Sequence, residues 1–318
     1  MDVVYFFCQQ MLLSVVPLLI VALGGIFSEK GGVLNFSLEG LMLAGAFAGA
    51  FFLRATQDAV SGNGMYFLAL LVAGAAGMIT MILQGIAAIN LNGEQIISGM
   101  AINLLIPALT IVIARAVIGV LQVGYRNVFR IPETPFFSKI PVIGDIFFKN
   151  AYISTLVGLA VLILSIFVFK YTRFGMRLKA CGEHPQAAAS MGINVKKTRY
   201  TGLLISGFLA GLGGLAFVVP NATEYSATVA GYGYLAVAVV IFGQWQPGHI
   251  LWASLFFGAI KTLANVYTSI PFLASMGASN YLFKMTPYVA TILVLLFTSR
   301  KSKQPAALGE PYDRDDTA

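Results

Sequence analysis

The chain has 318 residues, of which 58% are hydrophobic and only 10% charged. A soluble domain carries about 25% charged residues, so this stock cannot cover a water-facing surface; disorder, a collagen-like fibre and a disulfide scaffold are excluded by the same composition. What remains is an all-α polytopic transmembrane helical bundle of about 8–10 spans at roughly 20 apolar residues each, with room for short or re-entrant helices.

The first apolar run covers residues 3–27. Met1-Asp2-Val3-Val4 places no basic region before it, and the run is too long for a cleaved signal, so a retained span is expected. A polar break at residues 28–31 precedes a second run at 33–53, which opens with Asn35, Ser37 and Glu39. Residues 54–64 read as a loop, 65–89 as the third run, and 96–117 as the fourth. Residues 118–150 hold Pro132, Pro135 and Pro141 with mixed charges, which predicts an irregular segment outside the lipid. The fifth run is 151–169 and the sixth 201–219. A seventh at 231–242 is short for a full span and predicts a half-helix, a re-entrant piece or a span extended by its flanks. Runs at 250–266 and 284–298 complete the single transmembrane domain, residues 1–299. A polar tail at 300–318 is expected to be disordered.

Charge sets the expected topology. Seven of the 20 basic residues lie in residues 170–200 against one acid, Glu183. The positive-inside rule places this loop, and the cluster Arg300, Lys301 and Lys303, in the cytoplasm. Five preceding spans then put the N-terminus outside. The outer loop carries Arg126, Arg130, Lys139 and Lys149 against Glu133 and Asp145, a weaker excess. The net charge of +7 is thus a matter of topology, and no nucleic-acid partner is expected. Cys8 and Cys181 lie in different environments and give neither a disulfide nor metal spacing; His184 and His249 supply no metal site either.

Within the basic loop, Pro185 stands at a first helical position and Gly192 at a C-terminal cap, with three alanines between. This predicts a helix of about two turns, too short to persist in water without a partner. A surface helix that closes the loop and a docking element for a cytoplasmic partner are both compatible with these residues.

The stretches around Gly175–Ala188 and Met191–Val195 resemble the cytoplasmic coupling loop of bacterial ABC-transporter permeases of the branched-chain amino acid, ribose and simple-sugar superfamily. Gly24–Gly40, Gln95–Leu104 and Gly231–Gly243 with Trp245 and Pro247 are similar to further segments of the nucleoside and simple-sugar permeases. The matches run in order from about residue 20 to 265 and are most like the smaller permease subunit of nucleoside importers. The resemblance implies a cytosolic ATP-binding subunit, a second permease subunit in a heterodimer, and an extracytoplasmic lipoprotein that binds the solute. It implies a multi-pass protein of the bacterial cytoplasmic membrane, with ATP and Mg on the partner ATPase and no cofactor in this chain. It places the coupling helix at Glu183, His184, Pro185, Ala187 and Gly192. Lys261 departs from the neutral or acidic residue expected there.

No G-x-x-x-x-G-K-[ST] stretch occurs, so the energy source is a separate chain and no enzyme activity is expected. Charged and polar groups inside spans default to functional readings. Glu39 and Lys261 could form a buried pair; alternatively Glu39 sits at a helix N-terminus or in an aqueous vestibule and Lys261 snorkels. Asn35, Ser37, Asn103 and Asn265 could line a path for a hydroxyl-rich solute or hold helices together. Gly45-x3-Gly49 and Gly207-x3-Gly211 read as close helix contacts. An ion-coupled secondary transporter of a small polar solute is the alternative, though it would be expected to carry paired carboxylates in the membrane. A membrane enzyme would need clustered His, Asp or Glu.

Overall fold

The computed structural model describes residues 2–57, 62–126, 129–133, 149–267, 280–298 and 303–312. Eleven α-helices are described: α1 (Asp2–Glu29), α2 (Leu38–Thr56), α3 (Asn63–Gly85), which a π-helical turn continues over Ile86–Asn90, α4 (Gln95–Ile118), α5 (Ile153–Tyr171), α6 (Arg173–Glu183), α7 (Pro185–Ser190), α8 (Val195–Asn221), α9 (Tyr232–Phe242), α10 (Pro247–Val266) and α11 (Asn280–Thr298). Among the described residues, seven of them (α1–α5, α8 and α10) are long and apolar enough to cross a membrane. The 19-residue α11 brings the number to eight, within the predicted range, and the 11-residue α9 is too short for a full span.

The helices sort into a core and a shell. α1 and α8 have 89% and 78% of their apolar windows buried, whereas α4 and α5 have 28% and 33%. The outer faces of α4 and α5 carry exposed Leu104, Val112, Ile163 and Leu164, the pattern of a lipid-facing surface. The core helices can be central because their contacts are small. A Cβ at Gly45 of α2 would fall on the backbone of Gly211 in α8, and one at Gly207 would lie 2.7 Å from the Gly77 carbonyl of α3. α8 is therefore wedged between α2 and α3, the close contact expected of both glycine pairs.

Between α1 and α2 the chain is not helical. Gly32 takes a left-handed φ of 89°, and residues 33–36 run extended within the bundle before Ser37 precedes α2. Backbone groups in such a place must find partners inside the protein. They do: Asn103 of α4 donates to the Phe36 carbonyl at 2.7 Å and accepts from the Gly40 N–H at 2.7 Å. Gln95 accepts from the Leu34 N–H at 2.7 Å, and Ser28 donates to the Val33 carbonyl at 2.6 Å.

Four short strands were not foreseen. β1 (Val123–Gly124) pairs antiparallel with β4 (Glu224–Tyr225), and β2 (Arg130–Glu133) with β3 (Lys149–Tyr152). They satisfy the backbone where the chain leaves the helices at the α2 C-terminal end. Residues 134–148 of this segment, with Pro135, Pro141, Lys139 and Asp145, lie outside the described residues.

The basic loop is more ordered than expected. Arg173–Glu183 form a helix of their own, α6, because Thr172 caps it by accepting the Gly175 N–H at 3.1 Å. α8 starts at Val195 rather than near 201, since Asn194 accepts the Lys197 N–H at 2.9 Å and caps it. The predicted two-turn helix is α7, with Pro185 at its first position and Gly192 left-handed at φ 80°.

The tail corrects an expectation. Residues 303–312 are not free; they lie across the ends of the core helices near the basic loop. Ala307 N–H donates to the Gly182 carbonyl at 2.9 Å and Gly309 N–H to the Gly32 carbonyl at 3.1 Å, and Ala307 and Tyr312 are buried. A polar composition hides this, because the anchoring bonds are made by backbone. Arg300, Lys301, Asp315 and Asp316 lie outside the described residues.

Candidate functional site

Two regions collect the residues singled out by sequence. The first is the face built by α6, α7 and the start of α8. α7 packs Ala188 inward beside Cys181, Val195 and Tyr312. Its outer side presents His184, Ala187 and Gly192, and Met191 stands 83% exposed at the tip. Pro185 is buried and stands at the start of the helix, which it seats against the bundle. Glu183 is exposed, and its Oε2 accepts the Ala306 N–H at 3.2 Å, tying the end of α6 to the tail. Burial pushes the Cys181 thiol above its ordinary value, opposed by Arg199 and a hydrogen bond from Thr198.

Beneath this face lies a residue that the sequence reading passed over. Arg199, in the first turns of α8, is buried. Its Nη1 donates to the Glu310 carbonyl at 3.1 Å, and its guanidinium lies 5.9 Å from the Tyr312 ring centre. Its Nη2 sits against Gly32, where a Cβ would lie 2.7 Å away. One side chain thus joins α8, the tail and the unwound α1–α2 segment. Glu29, read as part of a polar break, is also buried and accepts from the indole N–H of Trp245. The only sequence sign of either was a charge at the edge of a long apolar run.

The second region is inside the span layer. α9 has 11 residues, about 16 Å at 1.5 Å per residue, roughly half a hydrocarbon core. Its N-terminus opens beside Glu39, whose two carboxylate oxygens accept the N–H groups of Gly231 at 3.0 Å and Gly233 at 2.7 Å. A carboxylate there meets both the free N–H groups and the positive end of the helix dipole. A Cβ at Gly233 would strike the Glu39 backbone, so glycine permits the approach. Lys261 of α10 donates to the Ala230 carbonyl at 3.2 Å and stands 5.3 Å and 5.7 Å from the ring centres of Tyr232 and Tyr288. Glu39 and Lys261 therefore hold opposite sides of one turn rather than each other, which is the helix-N-terminus reading of Glu39.

Lys261 and Asn265 line a cavity of about 470 Å³ together with Phe217, Asn221, Tyr232 and Tyr288. The remaining candidates for a path do not reach it. Asn35, Ser37 and Asn103 are buried and bonded within the chain: Asn35 donates to Ser206 Oγ at 2.9 Å and accepts from Ser37 Oγ at 2.8 Å. These bonds tie the unwound segment to α4 and α8. The aromatic pair Tyr232 and Tyr288 was missed because aromatics in spans are mostly packing and leave no spacing signal.

Seven membrane-length helices, an exposed capped helix on a basic face and a polar cavity beside a short helix make this a polytopic helical membrane protein. The chain belongs to the family described as branched-chain amino acid transport system / permease component, which it matches over residues 7–295. It is similar to the guanosine ABC transporter permease protein NupQ of Bacillus subtilis, at 39% identity over 93% of this chain and 92% of that one. The nucleoside ABC transporter permease protein NupC of Lactococcus lactis is 37% identical over 95% of each chain. A weaker likeness, 24% over 80% of this chain and 73% of the other, is to the guanosine ABC transporter permease protein NupP of Bacillus subtilis.

Proposed function

We propose that this chain is the smaller of two permease subunits of an ATP-driven importer that moves nucleosides or related simple sugars across the bacterial cytoplasmic membrane. The observation that carries the reading is the end-to-end likeness to two permeases named for guanosine and nucleoside transport. A heterodimer is supported by Bacillus subtilis having two permeases of the guanosine name, to which this chain is unequally similar. Its partners are a cytosolic ATP-binding subunit, which carries ATP and Mg, and an extracytoplasmic lipoprotein that delivers the solute. The basic loop and the C-terminal tail face the cytoplasm.

In this reading the ATPase pushes on the outer side of α7, through His184, Ala187, Met191 and Gly192. The push passes to the core by two routes, Ala188 against Val195 and Glu183 with the tail against Gly182 and Gly32. The solute passes the cavity of Lys261 and Asn265, where Tyr232 and Tyr288 offer flat faces and the ammonium and amide offer hydrogen bonds. Coupling of this kind needs two states that both ligands bias. Family membership weighs against the ion-coupled alternative.

The test is uptake of radiolabelled guanosine, adenosine, uridine and ribose into proteoliposomes holding the complete importer and its binding protein. Uptake that needs ATP and is lost when residues 185–191 are deleted supports the reading. ATP-independent uptake, or normal uptake by the deletion, overturns it.

A further inference from the structure

On the face that carries the basic loop, a cavity of about 370 Å³ opens between α5, α6 and the turn that leads into α10. Three ammonium groups line it, Lys30, Lys170 and Lys179, and no carboxylate is among its lining residues. Lys179 is aimed by its contact with α5: Nζ donates to the Phe169 carbonyl at 3.0 Å. Lys170 stands 5.3 Å from the ring centre of Tyr171. Lys30, just past the end of α1, is half-buried. Burial holds its ammonium below the usual lysine range, Lys179 pushes the same way, and Glu183 opposes them. The cluster is short of negative charge, and a bound anion would supply it.

The floor of the cavity is Trp245, Gln246 and Pro247, where α10 begins. The Trp245 and Gln246 N–H groups are taken by the Val240 and Gly243 carbonyls and Pro247 has none, so the backbone donor on this lining is Gly248, in the first turn of α10, where N–H groups have no partner within the helix and favour an anion. On α5 the cavity is lined by Ile166, Phe169 and Lys170; Ile166 is exposed, and within one turn of it Ile163, Leu164 and Phe167 are 68%, 65% and 56% exposed, an apolar outer surface that adjoins the lining. Tyr171, the last residue of α5, is exposed, and an aromatic ring at the end of an apolar span is the kind of residue that marks a membrane interface. A basic pocket that is continuous with an apolar outer surface suits a molecule that is anionic at one end and apolar at the other.

We propose that this cavity binds the phosphate headgroup of an anionic glycerophospholipid from the adjoining leaflet, with Lys30, Lys170 and Lys179 around the phosphate and the acyl chains along α5. A free phosphate would meet the same three ammonium groups but would gain nothing from Ile163, Leu164 and Phe167. The site shares no residue with the outer side of α7 or with the Lys261 cavity, so its failure leaves the transport reading intact.

The experiment is native mass spectrometry and thermal unfolding of the chain in its native complex in detergent, supplied with phosphatidylglycerol, phosphatidylcholine or inorganic phosphate. Phosphatidylglycerol is expected to stay bound and to raise the unfolding temperature, and phosphatidylcholine to do neither. Replacing Lys30, Lys170 and Lys179 together by Gln is expected to lower the affinity for phosphatidylglycerol about a hundredfold. Lys170→Gln alone changes an exposed side chain, so it tests the site without endangering the fold; it is expected to lower retention measurably, and Lys170→Arg to restore it. Equal retention by the Gln variants and the unaltered chain, or equal retention of both lipids, overturns the proposal. Full stabilisation by inorganic phosphate with the same lysine dependence also overturns it, in favour of a free-anion site.

Discussion

The indole N–H of Trp245 donates to the carboxylate of Glu29 at 2.5 Å, inside the bundle. Glu29 is the last residue of α1 and Trp245 lies in the turn between α9 and α10, at a left-handed φ of 53°. The bond therefore clamps the end of the central span to the one turn that leaves the half-depth helix. Trp245→Phe keeps the ring and removes the donor, leaving a buried carboxylate oxygen short of a partner. The expected loss is about 1–3 kcal/mol of stability, with Glu29→Gln losing less because it keeps an acceptor. Thermal unfolding in detergent checks this; identical behaviour of Trp245→Phe and the unaltered chain would show that the bond carries no load.

Glu39 closes the N-terminus of α9 by accepting from Gly231 and Gly233. Glu39→Ala removes both acceptors and is expected to cost about 0.5–2 kcal/mol and to reduce transport. Glu39→Gln retains one oxygen and should fall between. Because Lys261 makes one bond to this turn, to the Ala230 carbonyl, against two for Glu39, Lys261→Met should cost about 0.5 kcal/mol, less than Glu39→Ala, while it alters uptake of the solute. A stability loss as large as that of Glu39→Ala would mean that the two charges depend on each other.

The wedge of α8 between α2 and α3 has no room for side chains at Gly45, Gly77 or Gly211. Gly211→Val should prevent stable accumulation in the membrane, since the helices must part over their whole contact. Gly64→Ala is the control: nothing lies within 4 Å of a Cβ there, and the change should be neutral. Immunoblots of membrane fractions distinguish the two.

The tail covers Arg199, Gly182 and Cys181. A chain ended after residue 302 should expose the Cys181 thiol, which burial now holds above its ordinary value. In a Cys8→Ser background, maleimide labelling of the full chain should be slow and rise only at high pH. The shortened chain should label faster and at lower pH. Equal rates would place the tail elsewhere in the membrane-bound protein.

The helices of this bundle could be read from the sequence because an apolar run about 20 residues long has one outcome in lipid. α7 could be read because Pro185 and Gly192 are caps with a steric cause. α6 and the early start of α8 escaped because charge outweighed the quieter signals of Thr172 and Asn194, each of which bonds a backbone N–H three residues on. The candidate cavity was half legible. Lys261 and Asn265 stand out as polar residues in an apolar run, but Asn35, Ser37 and Asn103 stand out in the same way and serve an unwound segment instead. Telling the two groups apart takes knowledge of which backbone groups lack a helical partner, and that is a property of the folded chain. Arg199 escaped for a related reason: its acceptor, the Glu310 carbonyl, is 111 residues away and carries no side-chain signature.

The brevity of α9 has an electrical consequence. If water fills the space beyond its N-terminus, the membrane voltage falls across a septum about 16 Å thick rather than across the whole bilayer. The field there is correspondingly steeper, and Glu39 sits at its edge. A charged solute would feel that steep drop, whereas a neutral one would cross it indifferent to the resting potential of the cell.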